Sequence, residues 1–265
     1  MLIIGERING TKKRIREAII ARDTAFIQEE ARRQAEAGAQ MLDVNAGTPP
    51  EREPEDLAWL TETVQAAVDL PLCLDSPNPD ALAAGLALHR GRPMVNSVTG
   101  DAARQERVFP LVRRHQALLV GLTLDESGMP STAEPRVAVA SRIIAAAEAA
   151  GIPPSDLYID PLVLPVGADA AQGPAVLEAT RRLRQEFPPV HISYGLSNVS
   201  YGLPNRSLLN QTFLAMGLAM GLDAAILDPL DRRLMATLRA AEALVNLDEF
   251  AARFIAAHRA GRLEA

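Results

Sequence analysis

Short apolar runs, several of them β-branched, return about every 30 residues along this chain, each followed by a polar or Gly/Pro turn and an Ala-rich stretch of helical length. Eight such runs are present: LIIG from Leu2, MLDVN from Met41, PLCLD from Pro71, PMVNS from Pro93, ALLVGLTL from Ala117, DLYID from Asp156, HISYGLS from His191 and DAAILD from Asp223. Strict alternation of strand and helix implies a parallel sheet with right-handed crossovers, and eight units are the number that closes a (β/α)8 TIM barrel. An open doubly wound sheet is the alternative that periodicity leaves standing. Between the runs, DTAFIQEEARRQAEAG places Asp23 where an N-cap belongs and Gly38 where a C-cap belongs. Helices are further predicted over 55–69, 79–90, 101–115, 133–150, 169–186, 205–221 and 231–245. No Ser/Gly linker, solenoid repeat or low-complexity tract interrupts the pattern, so residues 1–265 are expected to form a single α/β domain.

In such a barrel the chemistry sits at the C-terminal ends of the strands, which makes the last residue of each run the informative one. Most of these runs end in an acid or an amide: Asp43 and Asn45, Asp75, Asn96, Asp160, and, just beyond a run, Asp125, Asn198 and Asp228. Alternation of side chains points Leu72 and Leu74 at the helices and Cys73 and Asp75 into the barrel. By the same rule Tyr158 shares a face with Asp160, and Asp43 with Asn45. The expected mouth is therefore lined by carboxylates and carboxamides. Asp125 in LDESGMP and Asp228 in LDPLD read as turn formers, and prolines close behind Asp75 and Asp160 give those two a turn role as well.

Other chemistries find little support. A formal net charge of -6 argues against a nucleic-acid surface or a basic membrane patch. One cysteine, Cys73, set between leucines in a strand, reads as a core residue and places the chain in a reducing compartment, the cytoplasm. The N-terminal MLIIGERING is too short an apolar segment for a signal peptide, and no run approaches the roughly 20 residues of a membrane span. The histidines, His89, His115, His191 and His258, are scattered and give neither a ligand pair nor a Ser/His/Asp arrangement, so no bound metal is expected. No glycine-rich phosphate loop follows a strand.

A pocket of acids and amides without a cationic cluster suits a neutral heterocycle with adjacent hydrogen-bond donors, such as the 2-amino-4-oxo-pyrimidine edge of a pterin. At this point the motifs become specific. MLIIGERING, LDVNAG (42–47), LCLDS (72–76), MVNS (94–97), GLTLDESGMP (121–130), LYIDPLVLP (157–165), GLSNVS (195–200) and the segment 205–229 together resemble the methyltetrahydrofolate:corrinoid protein methyltransferases. These share a pterin-binding barrel with the folate module of methionine synthase. The resemblance implies a homodimeric barrel that binds 5-methyltetrahydrofolate or tetrahydrofolate as substrate and exchanges its methyl with the corrinoid (cobalamin) of a separate corrinoid protein. It further implies that Asp75, Asn96 and Asp160 hold the pterin, that Asn198 bonds near N5, that Arg206 lies beside the substrate, and that Asn45 is a neighbour one tier away.

One departure concerns Tyr201, which follows GLSNVS where the acetyl-CoA-pathway members usually carry an amide and which is closer to the aromatic form of methionine-synthase modules and of demethylation systems. Tyr201 reads either as a substrate contact or as a packing aromatic in its loop. The difficult step in such a transfer is making a tertiary amine nitrogen leave, which calls for a proton or strong hydrogen bond at N5 rather than a covalent catalyst. Asn198 and Asp160 are the catalytic candidates. Two alternatives stand beside this reading: a dihydropteroate synthase-like pterin enzyme, whose SRK-like segment is replaced here by SNVSYG, and a non-catalytic folate-binding module. A corrinoid-carrying DxHxxG segment is not found, so the corrinoid is expected on the partner.

Overall fold

The computed structural model describes residues 1–263 and closes eight parallel strands into one barrel in sequence order, with β1 pairing both β2 and β8. The strands are β1 (Leu2–Asn9), β2 (Met41–Asn45), β3 (Leu72–Asp75), β4 (Met94–Val98), β5 (Leu118–Leu122), β6 (Leu157–Asp160), β7 (His191–Gly195) and β8 (Ala224–Leu227). Around them run α1 (Lys13–Ala21), α2 (Thr24–Glu36), α3 (Glu53–Gln65), α4 (Pro79–Leu88), α5 (Ala102–His115), α6 (Ala133–Ala149), α7 (Gln172–Glu186), α8 (Arg206–Met220), α9 (Arg232–Leu244) and α10 (Ala252–Arg259). Each expected strand is present, and closure of the sheet eliminates the open alternative.

Side-chain alternation produces two apolar layers. Ile4, Met41, Cys73, Met94, Val120 and Tyr158 fill the interior, whereas Leu72, Leu74, Val95, Leu119, Ile159 and Ile192 belong to the larger layer between strands and helices. Cys73 thus points inward between two outward leucines, as the alternation requires. Register then sets the height of the strand ends: Asn9 lies opposite Asn45, Asp75 opposite Asn96 and Leu122 opposite Asp160. The polar termini consequently share one rim.

Two helices go beyond the sequence reading. Helix α1 is a nine-residue segment that buries Ile15, Ala18 and Ile19, too short for a convincing period, and α10 follows α9 near the C-terminus. Strand β1 runs four residues past the apolar LIIG, and the run from Ala117 stops at Leu122. Asp23 caps α2 by accepting a bond from the Phe26 N–H at 3.1 Å. Gly38 lies one residue beyond the C-cap Ala37, in the left-handed region at φ +102°.

A buried arginine supports the loop after β6. Arg136 on α6 is fully shielded and donates to the carbonyl oxygens of Pro161 (2.7 Å) and Thr132 (2.9 Å) and to Oε1 of Gln172 (2.6 Å). It therefore pins the chain immediately following Asp160. Replacing Arg136 by Met orphans several buried acceptors at once and should lower unfolding stability by about 2 to 4 kcal/mol. Urea denaturation checks this; a loss under about 0.5 kcal/mol would show that water satisfies those acceptors equally well.

Candidate active site

Amide donors at the mouth are turned toward carboxylates. Asn45 Nδ2 donates to Asp75 Oδ2 at 2.9 Å, and Asn96 Nδ2 to Asp43 Oδ1 at 3.4 Å. Asp160 is bound from behind by backbone: its Oδ1 accepts from the Leu162 N–H at 2.8 Å and its Oδ2 from the Gly195 N–H at 3.1 Å. Each amide thus directs one of its two N–H groups at a carboxylate, and with the carboxylate oxygens and Asn45 Oδ1, which is buried without a hydrogen-bond partner, the mouth holds an excess of acceptors. The Asn96–Ser97 peptide at this rim is cis.

Electrostatics follow from burial. Desolvation pushes the Asp75 carboxyl up to about 6 despite the bond from Asn45, and Asp160 up to about 6 despite its backbone donors. Asp43 is driven well above the usual carboxylate range by burial and by the neighbouring charge of Asp75. Glu6 is raised by burial as well, offset in part by its bond with Ser197 and by nearby Lys12. The mouth is thus an acidic cavity in which cations stand to the side. Lys12 Nζ donates to the Glu6 carbonyl oxygen at 3.1 Å, and the Arg104 guanidinium donates to the Ser76 carbonyl oxygen at 3.0 Å and also to those of Pro77 and Ser97, joining two rim loops.

The turn after β7 carries the remaining candidates. Asn198 lies exposed in a 3-10 turn, Leu196–Ser200. Its Nδ2 is 3.0 Å, and Asp160 Oδ2 is 3.8 Å, from the point where a Cβ on Gly195 would stand, so a side chain there would crowd Asn198 and touch Asp160. The absence of one at Gly195 lets these two groups flank it. Arg206, first residue of α8, is tied to the same turn, donating to the Ser197 carbonyl oxygen (2.6 Å) and to Ser200 Oγ (3.0 Å). Tyr201 is 69% exposed, with the Arg206 guanidinium 6.0 Å from its ring centroid, so its ring is packed against its own loop neighbour at most and remains open to solvent.

The strand-end residues Asn45, Asp75, Asn96 and Asp160 therefore meet at one rim, with Asn198, Arg206 and Tyr201 on the turn beside Asp160. Asp125 accepts from Ser127 N (2.9 Å) and pairs with Arg142, while Asp228 accepts from Leu230 N (3.0 Å) and Arg7 Nη1 (2.9 Å), which fits their turn roles. Sequence reasoning did not place Glu6, Ser197 or Arg104 at the mouth. Glu6 was legible in principle: Leu2 and Ile4 border the interior, and a period of two carried past Gly5 reaches Glu6. Two surface clefts lie elsewhere, one of about 650 Å³ along α5 and one of about 570 Å³ near Arg92 and Asp156 at the N-terminal strand ends, and neither gathers the strand-end acids. Among the described residues no three His, Cys, Asp or Glu side chains are grouped to hold a metal ion, and no helix is long and apolar enough to cross a membrane.

The site's pH response is opposite for ligand and fold. A carboxylate that must accept donors is needed ionised, so affinity for a pterin should fall as pH drops through about 6, by about 10-fold at pH 5 for each required group. For the free protein, carboxyls raised to about 6 bind protons more tightly folded than unfolded, so their stabilising contribution is full below about pH 4 and is lost as pH rises through 6. Calorimetric titration at pH 5 and 7.5, with Asp75→Asn alongside, checks the first statement: the variant should lose the part of the pH dependence due to Asp75, and an unchanged slope would remove Asp75 from ligand contact.

Comparison with known proteins agrees with this geometry. Residues 5–228 match the family described as pterin binding enzyme. Over 265 residues, 99% of this chain and 98% of the other, the chain is 37% identical to the methylcorrinoid:tetrahydrofolate methyltransferase of Eubacterium limosum. It is 34% identical over 239 residues to the methionine synthase of Mycobacterium tuberculosis, covering 85% of this chain but 20% of that much longer protein. Among solved structures, the dihydropteroate synthase of Xanthomonas albilineans with 4-aminobenzoic acid superposes with a TM-score of 0.73 at 23% identity, over 93% of this chain and 92% of that one, a likeness of fold. The chain belongs to the pterin-binding enzymes.

Proposed function

We propose that this pterin-binding barrel is a methyltransferase that exchanges the N5-methyl of 5-methyltetrahydrofolate with the cobalt of a corrinoid carried by a separate protein. The observation that carries the reading is the acceptor-rich mouth: Asn45 and Asn96 each direct an amide N–H at Asp75 and Asp43, and Asp75, Asn96 and Asp160 offer oxygens to the ring N–H and exocyclic amino group of a pterin. The relative from Eubacterium limosum is named for transfer from methylcorrinoid to tetrahydrofolate. We take that as the working direction, and by microscopic reversibility the same residues serve the reverse.

In this reading the residues orient the pterin and manage one proton. The corrinoid supplies a cobalt that gives or takes the methyl. Asn198, whose Nδ2 lies on the Asp160 side of Gly195, has its carbonyl oxygen left to accept from protonated N5, and Asp160 anchors the pterin edge from which that proton can be relayed. Arg206 holds the Asn198 turn in place through Ser197 and Ser200 and stands beside the substrate, and Tyr201 offers an exposed aromatic face at the rim where the corrinoid protein docks. Asn45 supports Asp75 one tier away. Residues 1–265 work as one domain in the cytoplasm.

The chain is further proposed to act as a homodimer. Helix α8 carries no charged residue after Arg206 and exposes Leu208 (53%) and Met216 (46%). On an anionic chain, a neutral apolar stripe is where two copies meet without charge repulsion. A Leu208→Glu/Met216→Glu double substitution should give a monomer by light scattering with an unchanged melting temperature; a dimer that persists would place the interface elsewhere.

A direct test of the reaction class offers the protein two substrate sets. Labelled 5-methyltetrahydrofolate with a corrinoid should lose its methyl label to cobalt, whereas a pterin diphosphate with 4-aminobenzoate should give no condensation. Condensation without methyl transfer would make the chain a dihydropteroate synthase, and folate binding with neither reaction would make it a binding module.

A further inference from the structure

An asparagine amide can present either its oxygen or its nitrogen to a ligand, and something must choose for Asn96. Beneath it, Asp43 on β2 is 2% exposed and faces the interior, and its Oδ1 receives the Asn96 Nδ2 at 3.4 Å. Cys73 and Asp75 from β3, Asn96 from β4 and Glu6 from β1 are the groups that face it, and no salt bridge to Asp43 is formed among the described residues. A carboxyl buried without a cation is costly and persists where it has a role. Resting on the reading of the mouth as a pterin site, we propose that Asp43 is the positioning residue that sets its specificity: it holds the Asn96 amide with nitrogen inward and oxygen outward, so that the mouth rejects ring edges presenting acceptors.

The chemistry follows. With Asn96 fixed, Asp75, Asn96 and Asp160 present acceptors, and a 2-amino ring edge supplies donors to them. A 2-oxo edge, as in a lumazine, places an acceptor against acceptors and leaves buried groups unpaired. Without Asp43 the Asn96 amide can turn over and offer its nitrogen, so discrimination falls. Asp43 need not touch the ligand.

The test compares binding of a pterin and of the lumazine with the same 6-substituent, by calorimetry, in the unaltered protein and in Asp43→Leu. The natural protein should prefer the pterin by about 100-fold or more, and Asp43→Leu should reduce that ratio by about 10-fold or more. In an Asn96→Ala background the same Asp43 change should leave the ratio unmoved, because the amide it orients is gone. If Asp43→Leu fails to fold, Asp43→Val, smaller and equally without an acceptor, takes its place. An unchanged ratio in the single variant, or an equal drop in the Asn96→Ala background, would overturn the proposal. Failure of the natural protein to bind either pteridine would instead overturn the pterin-site reading on which it rests.

Discussion

Asp75→Ala is expected to weaken binding of 5-methyltetrahydrofolate by about 2 to 4 kcal/mol, roughly 30- to 1000-fold in Kd. The carboxylate offers two acceptor oxygens at the end of β3, one already steadied by Asn45 at 2.9 Å, and a ligand with adjacent N–H groups would meet both charge and geometry there. Loss of the side chain removes charge-assisted bonds and leaves ligand donors without partners. The same change should not cost stability at neutral pH, because burial already disfavours the ionised Asp75 in the free protein. Calorimetric titration with a parallel thermal melt separates the two effects. Weak binding with an unchanged or raised melting temperature fits a ligand contact; weak binding with a melting temperature several degrees lower would mean that Asp75 holds the rim together instead.

Asn198→Ala should separate chemistry from binding. The residue is exposed on the turn after β7 and meets the bound pterin at N5 in this account, where charge changes most as the methyl moves. Removing one hydrogen bond made chiefly in the transition state should slow single-turnover transfer by about 10- to 1000-fold while Kd for folate changes by no more than about 3-fold. Stopped-flow measurement at saturating folate reads the rate without interference from product release. A Kd that rises as much as the rate falls would make Asn198 a binding residue, and an unchanged rate would remove it from the reaction.

Much of this site was legible because a closed parallel barrel turns a sequence rule into a location. Once PLCLD and DLYID are recognised as strands, alternation sends Asp75 and Asp160 inward and chain direction places them at the catalytic end, as β3 and β6 do. Glu6 is hidden because the run LIIG stops at a glycine, whereas β1 continues through Glu6 and Arg7, where its register with β2 shifts, and pairs again at Ile8 and Asn9, which no local pattern reveals. Arg104 and Arg136 were illegible for a related reason. Each acts from a helix through its reach to loop carbonyls distant in sequence, so its partners appear only when the helices pack. The bond from the Asn96 amide likewise reaches Asp43, 53 residues away on another strand. Helix α1 escaped because nine residues span too few turns to establish a period.

Delivery of a methyl between folate and cobalt is the function proposed for the acidic mouth. Mixing the purified protein with 5-methyltetrahydrofolate and free cob(I)alamin under anaerobic conditions, and following the corrinoid spectrum, tests it most directly. Cob(I)alamin should convert to methylcobalamin at a rate that saturates with folate, is suppressed by Asp75→Ala at subsaturating folate, and is slowed by Asn198→Ala even at saturation. Tight folate binding with conversion no faster than in protein-free buffer would contradict it.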